Sequence, residues 1–359
     1  SRGLGDVYKR QKKQMDKLVH GCHNLVYYEE YVKLAEKLVE LAGGDRMVYF
    51  ANSGAEANDG ALKLAKYVTN RPAIIAFKGA FHGRTFMAAT LTASNSKYRK
   101  HLESSLCPNV YHLEYPYLLH TPYPYDGEHT PKAYFTQFDE LFSKLVDPYS
   151  VAAIVMEPVQ GEGGVHPATQ EFMTGLREFC DENGMLLLID EVQTGVGRTG
   201  SLYCYEQYGI EPDVITSAKG LGGGLPIGAC LCASRLGEVL GAGMHGTTFG
   251  GNPVSCAGGL EVLQRVAKDS FLRSVEEKGR YLREKLSKMA GVQELRGLGM
   301  MIGIVLAKDN AKEVAGRCVK NGLLVLTAKT VLRLLPPLNI TYEEIDQGLE
   351  ILEKSILEV

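Results

Sequence analysis

The feature that most constrains this chain is a series of short, nearly unbroken apolar runs at residues 47–50, 73–77, 151–156, 186–189, 214–216 and 228–233. A strand with one wet face alternates apolar and polar residues. Runs without alternation need cover on both faces, as in a mostly parallel sheet layered with helices. Amphipathic stretches at 55–67 and about 169–183 supply such helices. Ahead of the first run, residues 14–41 read as helical, broken at Gly21 and resumed from Glu29, with Leu34, Leu38 and Leu41 spaced by four and three. Gly43-Gly44-Asp45 ends that segment.

After Gly251 the texture changes. Long helical patterns at 253–266 and 271–289 precede a glycine-interrupted strand region at 292–306. A helix at 311–321, a strand at 331–335 and a closing helix at 342–357 follow. The expected organisation is a large α/β domain over 14–250 and a smaller C-terminal α+β domain over 251–359, with an atypical start at 1–13. The stretch 115–130 crowds Tyr, Pro and His into a long loop. It reads as a rim of a site, a subunit contact or a plain surface excursion.

With 39 basic and 42 acidic residues in 359 and no long charge runs, nothing points to nucleic acid or a membrane surface as partner. No apolar run approaches a membrane span, and Ser1 to Lys13 is basic and polar, unlike a secretory leader. Eight cysteines at irregular spacing read as buried thiols, and Cys230 and Cys232 lie too close for a metal hairpin. A reduced, cytoplasmic compartment is the expectation.

Several short segments carry chemistry. Asn52-Ser53-Gly54-Ala55-Glu56 follows a strand and opens a helix, so the amides of Gly54 and Ala55 are available to an anion such as phosphate. An ordinary capped turn is the plainer reading. Asp190-Glu191-Val192-Gln193 ends a strand where open α/β sheets bind ligands. A carboxylate at Asp190 would favour a protonated pyridine nitrogen; a metal site is the competitor, disfavoured because no His or Cys is close in sequence. Lys219 lies just past a strand and before Gly222-Gly223-Gly224, where sheltering would give an amine able to condense with an aldehyde. On its own it reads more readily as a solvated side chain. Phe81 offers a face for a planar ring and Arg84 a fork for a carboxylate, while His82 is an alternative base. Thr247 and Thr248 sit on a glycine-rich loop suited to phosphate or carboxylate. Together these pieces describe the needs of one cofactor, and no dinucleotide or nucleoside-triphosphate fingerprint is spelled.

Residues 52–64, 80–85, Glu157-Pro158-Val159-Gln160-Gly161-Glu162-Gly163-Gly164, 190–200, 218–229 and 246–253 resemble the class III aminotransferases, of the fold type I pyridoxal-phosphate (PLP) enzymes. The resemblance runs from about Gln14 to the C-terminus. It implies that Lys219 carries PLP, that Asp190 pairs with the pyridine nitrogen, that Phe81 lies against the ring and Gln193 near the phenolic oxygen. It puts Gly54 and Ala55 at the phosphate, and Thr248 at the phosphate of a neighbouring subunit in a homodimer with shared sites. Arg84, with Thr247 nearby, would meet the substrate carboxylate. Arg333 would be the second arginine, masked by Glu162 for an ω-amino donor and released for the α-carboxylate of 2-oxoglutarate. The implied activity is transamination from an acetylornithine-like donor to 2-oxoglutarate, giving an aldehyde and glutamate. Alternatives are a 4-aminobutyrate or broad ω-amino acid donor, a PLP-dependent racemase or isomerase, and a non-catalytic binding protein. Members of that family usually carry several dozen further N-terminal residues. Ser1 to Lys12 does not resemble them, so a fragment or a foreign start is expected.

Overall fold

The computed structural model describes residues 5–117 and 133–359. The apolar runs form strands β1 (Arg46–Ala51), β2 (Ala73–Phe77), β3 (Val110–Leu113), β4 (Val151–Met156), β5 (Leu186–Asp190), β6 (Val214–Ser217) and β7 (Gly228–Ala233). They build one sheet in the order β1-β7-β6-β5-β4-β2-β3. Pairings from β3 through β2, β4 and β5 to β6 are parallel; β7 runs against both β6 and β1.

The reason these runs lack alternation is visible in their side chains. Ile75, Phe77, Ile154, Met156, Leu187 and Ile189 enter one core, and the intervening Ile74, Ala76, Ala153, Val155, Leu186 and Leu188 enter another on the opposite face. Helix Gly54–Thr69 covers the second face with Ala61, Leu62, Leu64 and Ala65, and helix Gln170–Asn183 covers the first with Phe172, Met173, Leu176 and Cys180. Each fully buried Leu, Ile or Phe contributes roughly 1.5–3 kcal/mol, so both layers are needed to hold the sheet.

A second, antiparallel sheet follows, with strands β8 (Val292–Leu298), β9 (Met301–Leu306), β10 (Leu326–Ala328) and β11 (Val331–Leu334) in the order β8-β9-β11-β10. Helices Asp269–Ser287, Ala311–Lys320 and Tyr342–Leu357 close its separate core, which includes Val275, Leu282, Met300, Ile302, Val314 and Ile345. The change of core falls between Val266 and Asp269, one helix later than the expected boundary at 250. Helix Pro253–Val266 sends Cys256, Leu260, Leu263 and Val266 into the core of the large sheet.

The N-terminal reading needs correction. The first helix is Gly5–Met15, and residues between it and helix Glu29–Leu41 are irregular, where a helix had been expected from residue 14 to Gly21. Two of the three residues that first helix buries, Val7, Gln11 and Gln14, are glutamines, so an apolar count misses the face. Gln11 Nε2 donates to the Gly222 carbonyl at 3.4 Å, so the inward polar group is satisfied. Strands β3 and β10 were also missed: one is a half-buried edge and the other has three residues. Most of the tyrosine- and proline-rich stretch 115–130 lies outside the described residues. Of its start, Tyr115 is buried and its hydroxyl reaches the carbonyls of Glu157 and Pro158 at 2.9 and 3.0 Å. All eight cysteines are free thiols, six of them buried. Among the described residues, no helix is long and apolar enough to cross a membrane.

Candidate active site

The register of the large sheet brings four chain segments to one edge. Ala51 pairs with Gly228, Asp190 with Thr216 and Ser217 with Ala229. The carboxyl ends of β1, β5 and β6 therefore lie side by side, and the turns after them carry Ser53-Gly54, Asp190-Gln193 and Lys219. The 78–85 segment arrives from the end of β2.

After β1, Ser53 is the N-cap of helix Gly54–Thr69; its hydroxyl accepts the Glu56 amide at 3.2 Å. The amides of Gly54 and Ala55, the first two of the helix, have no intrahelical acceptor and form a positive end. Glycine is required opposite this turn. A side chain at Gly228 would put its Cβ 2.7 Å from the Ser53 carbonyl carbon, and one at Gly83 would put it 2.6 Å from Ala55 Cβ.

Asp190 is buried and fully engaged on its protein side. Oδ2 accepts from Asn58 Nδ2 at 2.8 Å and meets His82 Nδ1 at 2.7 Å, and Oδ1 accepts the Val192 amide at 3.0 Å. Asn58 is held in turn by the Thr216 hydroxyl at 2.7 Å. Burial opposes a charge on His82, but the hydrogen bond and negative charge of Asp190 outweigh it, and the imidazole is held above its usual range. His82 Nε2 is buried and has no partner among the described residues. Glu191, the first residue past the strand, points away, accepting from the Tyr205 amide at 2.8 Å and the Thr194 hydroxyl. The carboxylate pair read from the sequence is thus split between two sides of the sheet.

Lys219 follows β6 with a backbone φ of +47°, a left-handed conformation unusual for lysine. Its amine opens into a cavity of about 710 Å³ that Gln193 and Val192 also line. Desolvation lowers its pKa; Asp190 and Glu157 oppose the shift and Arg333 adds to it. Desolvation thus shifts the amine toward its neutral, nucleophilic form.

Phe81 packs edge-on to Tyr98 with ring centroids 5.2 Å apart. Its amide donates to Glu157 Oε1 at 2.8 Å, and the other oxygen of Glu157 accepts the Gly161 amide at 3.1 Å. Burial raises the Glu157 carboxyl to about 7. The Arg84 guanidinium lies 5.6 Å from the Phe81 ring and 5.1 Å from the Tyr98 ring, an aromatic clamp on an exposed cation. Arg333, on β11, donates from Nη1 to Glu162 Oε1 at 2.8 Å and to Gln193 Oε1 at 3.2 Å. Its side chain is 7% exposed and that of Glu162 28%, so the acid is the more accessible member. Glu162 and Tyr98 also border a second cavity of about 540 Å³, with Lys312 and Lys329 on its far side.

Two expected residues sit apart. Thr247 Oγ1 accepts from Asn52 Nδ2 at 3.1 Å and from the Gly250 amide at 3.2 Å, and among the described residues it does not pair with Arg84. Thr248 is exposed. Sequence reasoning passed over Asn58 and Tyr98, and it quoted Glu157 and Gly161 without a role. Asn58 had a usable signal: it stands four residues after Gly54 on the same helix face.

A phosphate-sized helix end, an aromatic face, a buried carboxylate and a depressed lysine on one sheet edge define an enzyme built around PLP. The chain belongs to the class III aminotransferases: the family model described as "Aminotransferase class-III" matches residues 5–356. It is 43% identical to an acetylornithine aminotransferase of Caldanaerobacter subterraneus subsp. tengcongensis, over 97% of this chain and 84% of that protein. A Streptococcus mutans acetylornithine aminotransferase is 41% identical, with 96% and 84% covered. Among solved structures, an amine transaminase from an uncultivated Pseudomonas species in its PLP-bound form superposes with a TM-score of 0.91 at 28% identity, covering 99% of this chain and 87% of that one. The taurine:2-oxoglutarate aminotransferase of Bifidobacterium kashiwanohense, in complex with PLP and glutamate, gives 0.91 at 26%, covering 100% and 86%. This chain is a PLP-dependent aminotransferase.

Proposed function

We propose that this aminotransferase moves the terminal amino group of an acetylornithine-like ω-amino donor to 2-oxoglutarate, releasing an aldehyde and glutamate. The 43% identity to an acetylornithine aminotransferase over nearly the whole chain carries the choice of donor. The Arg333–Glu162 pair beside the separate cation Arg84 supports two carboxylate sites used in turn.

The residues present fit PLP. Lys219 is the amine that carries it, Asp190 the carboxylate for its ring nitrogen, Phe81 the aromatic face, and Gln193 the partner of its phenolic oxygen. Gly54 and Ala55 receive the phosphate, joined by Thr248 from a second copy in a homodimer. Among the described residues the buried His82 Nε2 has no partner, a polar group left unsatisfied at this edge. When bound, PLP supplies the electron sink that makes the carbon bearing the donor's amino group acidic.

The chain's own groups do the rest. Arg84 holds the donor's carboxylate, with Thr247 bracing the neighbouring turn. Lys219 Nζ would take the proton from the activated carbon and return it on the carbon across the nitrogen, two atoms along. Glu162 covers Arg333 while a donor without a second carboxylate is bound. It then yields to the α-carboxylate of 2-oxoglutarate, because a buried guanidinium is costly unless paired. The large lobe supplies the cofactor residues and the C-terminal lobe, whose core begins after Val266, supplies Arg333.

The test is a coupled glutamate-formation assay with N-acetylornithine and 4-aminobutyrate as donors. Higher kcat/KM with N-acetylornithine supports the reading, and a preference for 4-aminobutyrate overturns the donor. Turnover that needs no 2-oxo acid would point instead to a racemase or isomerase. Lys219→Ala is expected to lower kcat by roughly 10²–10⁴-fold or more; unchanged turnover would remove Lys219 from its role.

A further inference from the structure

Arg333 is held by two residues, not one. Its Nη1 carries two hydrogens, and they go to Glu162 Oε1 at 2.8 Å and Gln193 Oε1 at 3.2 Å. Its Nε, on the neighbouring edge of the guanidinium, is buried and has no partner among the described residues. One side of the fork is thus fixed by protein while a donor remains available to a ligand carboxylate. Glu162 is the partner that leaves under the reading above, so something else must keep the plane of the guanidinium. Gln193 is the group in place to do it.

Gln193 is itself set by Gly161, the residue before Glu162. A Cβ at 161 would fall 2.5 Å from Gln193 Oε1 and 2.6 Å from its Cδ. Gly161 is in turn tied down by its amide to Glu157 Oε2 at 3.1 Å. The backbone beneath the mobile acid is therefore pressed flat against the carboxamide that grips Arg333. With Oε1 committed to Arg333, the amide plane is oriented and its NH₂ side is directed away from the guanidinium.

We propose that Gln193 is a specificity-determining positioning residue for the 2-oxo acid acceptor: it keeps Arg333 oriented when Glu162 releases it, and the absence of a side chain at Gly161 is what allows that grip. This rests on the reading of Arg333 as the partner of the acceptor's α-carboxylate. Its consequence is asymmetric. The acceptor half-reaction depends on Gln193 through Arg333, whereas a donor whose carboxylate is met by Arg84 does not.

The experiment compares Gln193→Leu, Gly161→Ala and the double variant, in PLP-loaded protein of verified fold and melting temperature. Gly161 is not in a left-handed conformation, so alanine brings no backbone strain there and its effect passes through the displaced carboxamide. Binding of glutarate, a dicarboxylate with no oxo group to react, is read by calorimetry alongside KM for each substrate. Each single variant is expected to weaken glutarate and raise the 2-oxoglutarate KM about tenfold. Loss of the contact with the cofactor's phenolic oxygen is shared by both half-reactions, so the acceptor's loss should exceed the donor's by about tenfold, and the double variant should be no worse than either single one, because both remove one contact. Additive losses, or equal losses for donor and acceptor, would overturn the proposal. Arg333→Leu run in parallel separates the two levels. If it leaves glutarate affinity intact, Arg333 is not the acceptor's partner and the proposal falls with that reading. If it abolishes binding while Gln193→Leu and Gly161→Ala change nothing, only the role of Gln193 falls.

Discussion

Asn58 Nδ2 donates to Asp190 Oδ2 at 2.8 Å while Asn58 Oδ1 accepts from Thr216 at 2.7 Å, so one amide spans the helix and the sheet at the centre of the site. The same nitrogen reaches the His82 carbonyl at 2.7 Å. Orientation of the carboxylate is thus fixed by a residue with no chemistry of its own.

Replacing Asn58 by Ala leaves Thr216 and the His82 carbonyl each short of a buried partner. We expect a loss of about 2–3 kcal/mol in urea unfolding and weaker PLP affinity. An Asn58→Ala protein as stable as wild type, with equal PLP affinity in fluorescence titration, would show the network to be dispensable.

Stability should depend on pH through Glu191, whose carboxyl burial raises from 4.5 to about 7. A group with a raised folded pKa favours the folded state at low pH, and that contribution is lost as pH climbs from about 4.5 to 7. Its size is on the order of 3 kcal/mol. Glu191→Gln keeps an acceptor for the Tyr205 amide and can donate to Thr194. The variant should therefore gain on wild type between pH 5 and pH 8 in thermal unfolding with saturating PLP. A difference between the two proteins that is flat with pH contradicts this.

Gly228 and Gly316 should respond oppositely to alanine. At 228 the new Cβ runs into the Ser53 carbonyl at the phosphate turn, and a loss of about 3 kcal/mol with reduced PLP binding is expected. Within helix Ala311–Lys320 a Cβ at 316 meets nothing within 4 Å, so alanine should stabilise by about 0.5–1 kcal/mol. Melting curves of the two variants decide the matter; equal effects would discount the close approach.

Arg84 owes its position to two aromatic faces. Tyr98→Ala removes the nearer one, and the donor KM should rise about three- to tenfold with kcat nearly kept. Arg84→Lys keeps the charge but loses the fork and should raise it more, by about ten- to a hundredfold. Steady-state kinetics at fixed 2-oxoglutarate separates these; a fall in kcat alone would mean that the clamp serves something other than binding.

Much of the architecture was legible because sheet strands covered on both faces leave an unmistakable trace: 73–77, 151–156 and 186–189 are apolar at every position, and all are buried. The N-terminal helix was not legible, since its inward face is made of Val7, Gln11 and Gln14 and is satisfied by a carbonyl two hundred residues away. At the site, Lys219, Asp190 and the Ser53-Gly54 turn could be named because each follows a strand end. Asn58 could have been reached through its helix face, but Tyr98 could not, because its value lies in what it touches.

The sequence by itself determined the covered sheet, the family and the set of groups that chemistry of this kind requires, since local pattern and residue type carry that information. Only the tertiary structure decided how those groups are divided. It turned Asp190 inward to Asn58 and His82 and Glu191 outward to Tyr205, and it put Nη1 of Arg333 beside Gln193 and Glu162 from distant segments. Such pairings are long-range, and they depend on sheet register and on how two separate cores meet, quantities that no local stretch of residues encodes.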